Sequence, residues 1–282
     1  MDSARLARLF IVATPIGNLE DLTPRARRVL SDLNHIIAED TREARKLFEL
    51  SNISTESKKF LSFAAHNMKA SNERAINLLR QNIDLALISD RGTPGISDPG
   101  AMLVFAARAE GFTIIPIPGA CSVTTALSVS GLDASRFLFL GFLPHSGSKR
   151  QESMEQLRTA KIPVCLLEAP HRIRKTVLTL KELLPDGMLF LARELTKRFE
   201  TLQWGRLMDI DVGAIPEMGE FTLVISNTTD SSQPPNELEK HIEIKLASDK
   251  AWAKAISKMA GVSAQKAYNS LQLARTMTKN GL

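Results

Sequence analysis

The stretch from Leu85 to Gly100 constrains the fold of this chain more than any other segment. It opens with a short apolar run, Leu85 to Ser89, that is typical of a buried β-strand. Three glycines and two prolines follow within the nine positions from Gly92 to Gly100, and no helix or strand interior tolerates that density. Asp98 and Pro99 then match a helix N-cap and a first helical position. We therefore predict a strand, a rigid loop and a helix, an arrangement that binds ligands at the carboxyl ends of strands in open α/β sheets.

The composition is that of a globular protein. The 282 residues are 44% hydrophobic and 24% charged, which is ordinary for a folded protein of about two domains. No apolar run approaches the roughly 18 to 20 residues of a membrane span, and we expect no secretory signal. Because Cys121 and Cys165 form no Cys-x-x-Cys pair, we expect a reducing cytoplasm, no disulfide framework and no structural zinc. The net charge of +5 is compatible with a polyanionic partner but supports one only weakly.

The order of the predicted elements indicates two α/β domains. In residues 1–132, apolar strands alternate with helices, which predicts a mainly parallel sheet. We place these strands at 8–13, 34–38, 59–63, 85–89 and 113–117. In residues 133–228, strands are joined partly by helices and partly by short turns, which predicts a mixed sheet. We place these strands at 137–141, 164–168, 188–193, 201–205 and 221–226, and a polar linker at 227–236 follows them.

A third region, residues 237–282, is basic and has a helical pattern. Its apolar residues recur at helical spacing on both sides of a turn at Gly261–Ser263, an arrangement that resembles a helix-turn-helix. Seven basic residues and one acid lie between Lys245 and Lys279. Two interpretations stay open: an arm that binds nucleic acid, or a small appendage with a solvated basic face.

Spacing alone excludes several kinds of site. No two glycines are separated by a single residue, so neither a dinucleotide fingerprint nor a kinase glycine loop is present. The chain has no Walker phosphate loop and no Gly-x-Ser-x-Gly elbow, and its five histidines lack metal-ligand spacing. What is left is a ligand site built from glycine- and proline-rich loops, the long one described above and a second one at Pro118–Ser122.

Polar residues follow several predicted strands and are the candidates for chemistry. Asp40 and Arg42 follow the second strand, although they could simply pair with each other at a helix start. His66 follows the third strand and could equally be an ordinary loop histidine. Two further groups follow strands of the second domain, where polar clusters often serve a site. They are Glu168, His171 and Arg172, and then Arg193, Glu194 and Lys197.

Seven segments form a recognisable series: 12–21, 38–42, 89–100, 116–122, 168–172, 192–197 and 219–225. In this order they resemble a family of ribosomal small-subunit RNA 2′-O-ribose methyltransferases, within the tetrapyrrole-methylase superfamily of S-adenosylmethionine (SAM) enzymes. The resemblance covers nearly the whole chain. It implies a two-domain enzyme with SAM between the domains, a 2′-O-methylated cytidine in the decoding region of 16S ribosomal RNA, a homodimer and a cytoplasmic location.

The resemblance also implies the residues that contact SAM. They are Pro15, Ile16, Gly17, Asp90, Gly92, Thr93, Pro94, Ile96, Ser97, Cys121, Ser122, Gly219 and Thr222. Loop backbone groups and the hydroxyls of Thr93, Ser97 and Ser122 can bond the amino-acid and adenine parts of such a ligand. The chain departs from the family at Arg91, where alanine is usual. A cation at this position could alter the cofactor loop or reach toward RNA.

Methyl transfer to a ribose hydroxyl also needs a group that takes the proton and groups that hold the RNA. The candidates for catalysis are Glu168, Glu194, Lys197 and Asp40, and the sequence does not choose a base among them. The candidates for RNA contacts are Arg42, His66, His171, Arg172, Arg193, Lys254, Lys258 and Lys266. If basic side chains hold phosphates, RNA affinity should fall as salt rises.

Two rival functions stay open. The first is a superfamily methyltransferase that acts on a tetrapyrrole or a modified protein residue, and the basic tail and segment 38–42 argue against it. The second is an RNA-binding protein without catalysis, which predicts that SAM does not bind.

Overall fold

The computed structural model describes residues 6–63, 68–98 and 100–227, and five positions of the C-terminal region: Ser263, Gln265, Lys266, Tyr268 and Asn269. The chain divides into two compact units, residues 1–229 and 230–282. The predicted RNA contacts His66, Lys254 and Lys258, the position of Pro99 and most of the predicted basic tail lie outside the described residues.

The first unit contains two successive sets of strands and helices. The strands are β1 (Arg8–Val12), β2 (His35–Ala38), β3 (Lys59–Ser62), β4 (Leu85–Ile88), β5 (Thr113–Ile117), β6 (Leu138–Phe142), β7 (Val164–Glu168), β8 (Met188–Arg193), β9 (Thr201–Arg206) and β10 (Phe221–Ser226). The helices are α1 (Pro24–Asp32), α2 (Thr41–Leu50), α3 (Met68–Arg80), α4 (Ala101–Ala109), α5 (Ser122–Val129), α6 (Ser148–Thr159) and α7 (Ile173–Leu183). This confirms the predicted α/β class.

The first sheet is parallel and has the strand order β3-β2-β4-β1-β5. Helices α1 and α2 cover one face through Ala26, Leu30 and Phe48, which pack on alternate strand residues. Helices α3 and α4 cover the other face through a separate set of apolar side chains. Because β4, β1 and β5 are neighbours and all run the same way, the loops that follow them meet at one edge of the sheet.

The second sheet is mixed and has the order β6-β7-β10-β8-β9. Strand β6 runs parallel to β7, whereas β10 is antiparallel to both β7 and β8, and β9 is antiparallel to β8. Helices α6 and α7 cover one face, where Leu157, Val177 and Leu180 are fully buried. The two predicted sheet types are therefore both confirmed.

An apolar cluster joins the two sheets, and we call it the inter-sheet cluster. It combines Ile16 and the α5 side chains Val123, Ala126 and Leu127 with residues on the free face of the second sheet. Those sheet residues are Cys165, Phe190, Ala192 and Val224, and Leu195, just after the end of β8, joins them. Helix α5 therefore belongs to the first half by chain order but packs on the second sheet, which brings the Pro118–Ser122 loop against it.

The predicted strand ends agree with the observed ones to within one or two residues, but one helix start was predicted wrongly. Helix α4 begins at Ala101, and its N-cap is Gly100, which has φ of +150°. Glycine reaches this conformation without strain. The carboxylate of Asp98 is not a cap, because it accepts a hydrogen bond from the Ser89 hydroxyl inside the loop.

Within the described residues, no helix is both long and apolar enough to cross a lipid bilayer.

Candidate active site

A cavity of about 550 Å³ opens between the two sheets, at the carboxyl ends of β2 and β4. This size suits a ligand of nucleoside dimensions. The first half of the chain lines it with Ile16, Glu39, Glu43, Ser89, Asp90, Arg91, Ile96, Ser97, Asp98 and Ser122. The second half lines it with Phe142, Leu167, Glu168, Ala169, Pro170, Leu195, Gly219, Glu220, Phe221 and Thr222.

Hydrogen bonds lock the three loops at the edge of the first sheet to one another. The backbone N–H of Thr14 donates to the carbonyl of Gly92 at 2.9 Å, and its hydroxyl donates to the carbonyl of Ser89 at 3.1 Å. The hydroxyl of Thr93 donates to the carbonyl of Ala120 at 3.0 Å, which ties the long loop to the second loop. The loops thus form a preorganised rim rather than three independent flaps.

Part of the long loop carries backbone strain where it faces the cavity. Ser97 is exposed and has φ of +66°, a left-handed conformation that costs a non-glycine residue free energy. Its neighbour Ile96 keeps 44% of its surface exposed although it is large and apolar. Both residues line the cavity. Strained backbone and an exposed apolar side chain at one cavity wall are typical of a ligand-binding loop.

A network of four charged side chains crosses from the long loop to the second sheet. The ammonium of Lys197 donates to Glu194 at 2.8 Å and to Glu220 at 3.0 Å. The guanidinium of Arg91 forms an ion pair with the other oxygen of Glu220. The backbone N–H of Glu220 also donates to the Glu194 carboxylate at 2.9 Å. We call these four residues the cross-sheet charge network, and it places Arg91 against Glu220.

Two glycines make room for this network. A Cβ at Gly17 would lie 2.2 Å from Cγ of Lys197, and a Cβ at Gly219 would lie 2.7 Å from Cγ of Glu194. Real Cβ atoms essentially never approach another heavy atom this closely. Both positions were expected to contact the cofactor. In the structure Gly219 lines the cavity, and both glycines also permit close packing of the charged side chains.

Glu168 lies at the end of β7, is buried and lines the cavity, but protein donors surround its carboxylate. It accepts hydrogen bonds from the Ala169 N–H at 2.8 Å and the Thr176 hydroxyl at 2.6 Å, and it pairs with Arg172 at 3.1 Å. Arg172 also donates to the carbonyl of Leu143. This arrangement holds the end of β7 to the start of α7.

Arg193 is also largely buried, and its guanidinium bonds to backbone. It donates to the carbonyl of Met218 at 2.7 Å and to that of Phe199 at 3.2 Å.

Asp40 caps α2 by accepting from the Arg42 N–H at 2.8 Å, and its carboxylate pairs with the Arg42 side chain at 2.6 Å. That pairing lowers the pKa of Asp40 to about 2. His171 is exposed in a short 3₁₀ turn, and Lys266 is exposed in the second unit.

The cavity wall formed by the first sheet is acidic. Burial raises the pKa of Glu39, and the carboxylates of Asp98, Asp90 and Asp40 raise it further. Burial is also the main cause that raises the pKa of Asp90 and that of Asp98. Asp90 accepts a hydrogen bond from the Asp40 N–H at 3.0 Å, which ties the long loop to the end of β2.

The structure brings about half of the expected cofactor and catalytic residues to the cavity surface. The lining residues among them are Ile16, Asp90, Ile96, Ser97, Ser122, Glu168, Gly219 and Thr222. Others support the lining without being part of it: Pro15, Gly17, Gly92, Thr93, Pro94, Cys121, Glu194 and Lys197. Sequence reasoning gave Glu39 no role, treated Asp98 only as a helix cap and did not single out Glu220. Glu39 directly follows a predicted strand, which was the signal available.

The cavity can hold a ligand that is partly flat and apolar and partly cationic. Ile16, Leu167, Leu195 and Phe221 offer apolar surface, while Glu39, Asp90 and Asp98 face it with carboxyl groups. The described residues contain no group of three or more metal-ligating side chains that could hold an ion. Acids beside an apolar wall suit a ligand with an aromatic ring, hydroxyls and positive charge.

Comparison with known proteins shows which family the chain resembles. Residues 8–211 match the family model described as Tetrapyrrole (Corrin/Porphyrin) Methylases. The chain is 40% identical over 228 residues to the Ribosomal RNA small subunit methyltransferase I of Halalkalibacterium halodurans, an alignment that covers 80% of this chain and 78% of the relative. It is 34% identical over 261 residues to the protein of the same name in Bacillus subtilis, covering 89% and 88%.

Solved structures with the same architecture are more distant in sequence. The methyltransferase CobJ superposes with a TM-score of 0.61 at 14% identity and covers 79% of this chain and 95% of that one. Diphthine synthase superposes with a TM-score of 0.61 at 14% identity and covers 78% and 90%. These two similarities establish the fold alone.

Proposed function

The chain belongs to the tetrapyrrole methylase family, beside the small-subunit ribosomal RNA methyltransferases I, and from this membership we propose that it methylates a ribose 2′-oxygen of 16S ribosomal RNA. The protein is a SAM-dependent methyltransferase. Its specific substrate is a cytidine in the decoding region. The observation that supports the proposal most is the cavity between the two sheets, lined by the long loop on one side and by the ends of β7 and β10 on the other.

The residues present suit SAM. Its adenine matches the apolar wall, and its amino group, its ribose hydroxyls and its sulfonium match the hydroxyl and carboxyl groups of the rim. When bound, SAM supplies an electrophilic methyl group. We assign the contacts to the lining residues of the expected set, Ile16, Asp90, Ile96, Ser97, Ser122, Gly219 and Thr222.

What this chain does for the reaction is to orient two partners and to handle one proton. Holding the 2′-hydroxyl in line with the methyl carbon can lower the barrier by about 7 to 11 kcal/mol at best. The loops of the rim serve this purpose, because hydrogen bonds from Thr14 and Thr93 hold them to one another. The cross-sheet charge network holds the second sheet against that rim and thereby sets the width of the cavity.

We assign RNA contacts to basic side chains that are exposed. Arg42 leaves 88% of its side chain in solvent, and His171 and Lys266 are also exposed. Arg172 and Arg193, by contrast, are largely buried and donate to protein acceptors, so we give them the role of supporting the second sheet. Asp40, Glu168 and Glu194 are likewise engaged with protein donors.

The proposal also covers the domain division, the oligomeric state and the location of the protein. We take residues 1–132 and 133–228 as domains, each with its own sheet. The proposed homodimer is supported by exposed apolar side chains on the edge strand β9, Leu202 and Trp204. A cytoplasmic location follows from a ribosomal substrate. Light scattering after gel filtration tests the dimer, and a monomer at micromolar concentration would contradict it.

The deciding experiment supplies labelled SAM and two acceptor classes. Small ribosomal subunits and naked 16S RNA from cells that lack this protein form one arm, and a reduced tetrapyrrole forms the other. We expect label in RNA at one cytidine, resistant to alkaline cleavage because a 2′-O-methyl group removes the nucleophile. Label on a base, label in the tetrapyrrole, or no SAM binding in calorimetry would each contradict the proposal.

A further inference from the structure

The proposed reaction needs a proton acceptor, and the cavity carboxylates can be sorted by what already binds them. Glu168 accepts from Ala169, Thr176 and Arg172. Glu220 binds Arg91 and Lys197, Asp98 accepts from Ser89, and Asp90 accepts from the Asp40 N–H. Each of these carboxylates is therefore already bound by at least one protein donor.

Glu39 and Glu43 are the other two lining carboxylates. Glu43 faces Lys46 at 3.9 Å, and half of its side chain is in solvent. Among the residues that the structure describes, none donates a hydrogen bond to the Glu39 carboxylate or forms an ion pair with it. Glu39 directly follows β2, a strand inside the first sheet, and this strand fixes the position of its backbone.

From this sorting we infer that Glu39 is the general base that takes the proton of the ribose 2′-hydroxyl, an inference that rests on the proposed function. The O2′–H bond breaks and the proton passes to a Glu39 oxygen. The 2′-oxygen forms the new bond to the methyl carbon, and the electron pair of the broken carbon–sulfur bond stays on sulfur. The charges balance, because the carboxylate and the sulfonium are both neutral after the step.

The surroundings of Glu39 favour this role. Asp98 and Asp90 face it from the long loop, Asp40 follows it in the chain, and Glu43 of α2 and Arg91 line the same cavity. Burial and the three aspartates raise the pKa of Glu39. A carboxylate with a raised pKa is a stronger base.

The kinetic test compares three variants at saturating SAM and RNA. Glu39→Gln keeps the size of the side chain and removes the base, so we expect kcat to fall by about 100-fold or more. Glu39→Asp keeps the carboxylate but shortens its reach, and we expect an intermediate rate. Glu49→Gln, an exposed change on α2, is the charge-matched control and should retain the full rate.

Two readouts separate a base from a structural or ligand-binding role. SAM affinity measured by calorimetry should stay within about threefold in Glu39→Gln, the size of a minor contact. In the wild type, kcat should rise with pH as the Glu39 carboxyl loses its proton. This rise should disappear in Glu39→Gln. In ¹³C NMR of the ligand-free protein with labelled glutamate carboxyls, the resonance that Glu39→Gln removes should titrate above the ordinary glutamate pKa of 4.5.

Each contrary result overturns the assignment. A Glu39→Gln kcat within about threefold of wild type would exclude a base. So would a loss of SAM binding that accounts for the whole defect, or an ordinary titration of Glu39. If the wild type methylates RNA and Glu39→Gln does so at full rate, only this assignment fails. If the wild type methylates no RNA, the proposed function itself fails.

Discussion

Gly219 illustrates how one residue without a side chain supports charged neighbours. It has φ of +93°, and a Cβ there would press on the Glu194 side chain, which holds Lys197 and the Glu220 N–H. Glu194 itself has φ of +53°. Two residues with left-handed backbone, Gly219 and Glu194, therefore lie side by side next to β10 and β8. With this geometry the carboxylates of Glu194 and Glu220 both accept hydrogen bonds from Lys197.

Gly219→Ala should destabilise the protein more than left-handed backbone alone explains. We expect a loss of about 1 to 3 kcal/mol beyond that of Gly111→Ala, because overpacking adds to conformational strain. Gly111 has a similar φ of +82° but no atom within 4 Å of its missing Cβ, which makes it the matched control. Urea unfolding of both variants measures the difference. Equal losses would show that the Glu194 side chain moves away freely.

Asp98 offers a test of the acidic wall through pH. Burial raises its folded pKa above the ordinary 3.8, so the folded state binds more protons than the unfolded state between these two values. Stability contributed by this group therefore falls as pH rises through that window. We expect Asp98→Asn to remove this part of the pH dependence and to raise stability at neutral pH, since the amide oxygen can still accept from Ser89.

Asp133 provides a control of opposite sign for this experiment. Its pKa is lowered by hydrogen bonds from Ser135, so its contribution is present above 3.8 and is lost as pH falls. Urea unfolding across the acidic range should show opposite changes of slope in Asp98→Asn and Asp133→Asn. The same sign of change in both variants would contradict the raised pKa of Asp98.

Helices and strands show which local signals are decisive. Thr23 and Pro24 start α1 as expected, and the Thr23 side chain accepts from the Ala26 N–H at 3.1 Å. The same kind of signal at Asp98 and Pro99 was misleading, because the Ser89 hydroxyl takes the Asp98 carboxylate. A cap can be predicted when its partners are three residues away. It cannot be predicted when a more distant residue of the loop, here Ser89, competes for the side chain.

The cavity was predictable in position but not in its charge pairing. Strand ends and glycine-rich loops placed it correctly at the edge of the parallel sheet. The contact between Glu194 and Glu220, however, depends on the β8–β10 register that pairs Arg193 with Phe221. Nothing in the local sequence around Arg91 indicates that it meets Glu220, a residue 129 positions later. Pairing between distant strands decides these contacts.

Lys58 caps the C-terminal end of α1 with its side chain. Its ammonium is buried and donates to the carbonyls of Ser31 and Leu33, at the end of α1, at 2.9 and 2.8 Å. Lys58→Met keeps the apolar stem and leaves both carbonyls without this donor. We expect a loss of about 1 to 3 kcal/mol in thermal or urea unfolding. Lys59→Met, next to it and exposed, should be nearly neutral, and equal losses would refute the capping role.

At the scale of the whole unit, residues 1–229, the arginines fall into two groups: those that stabilise the second sheet and those that are exposed on the surface. Arginines that hold the second sheet are largely removed from solvent and bond to protein acceptors, as Arg172 and Arg193 do. Arg42 stands at the start of α2 near the acidic wall and is almost fully solvated. Burial therefore divides the predicted RNA contacts into a structural group and a surface group, which the sequence pattern alone could not do because both follow strand ends.

This division predicts different salt responses for two arginine variants. Arg42→Ala should weaken RNA binding and reduce the slope of log affinity against log salt by roughly 0.7 to 0.9, the effect of one lost phosphate contact, with little change in stability. Arg193→Ala should leave the slope unchanged but lower stability by about 1 to 3 kcal/mol, since the carbonyls of Met218 and Phe199 lose their donor. Arg108→Ala, exposed on α4 at the opposite face of the first sheet from α2, is the control and should alter neither quantity. Filter binding across a salt series, with urea unfolding of each variant, measures both. A reduced slope in Arg193→Ala, or an unchanged one in Arg42→Ala, would mean that the RNA approaches the cavity from another side.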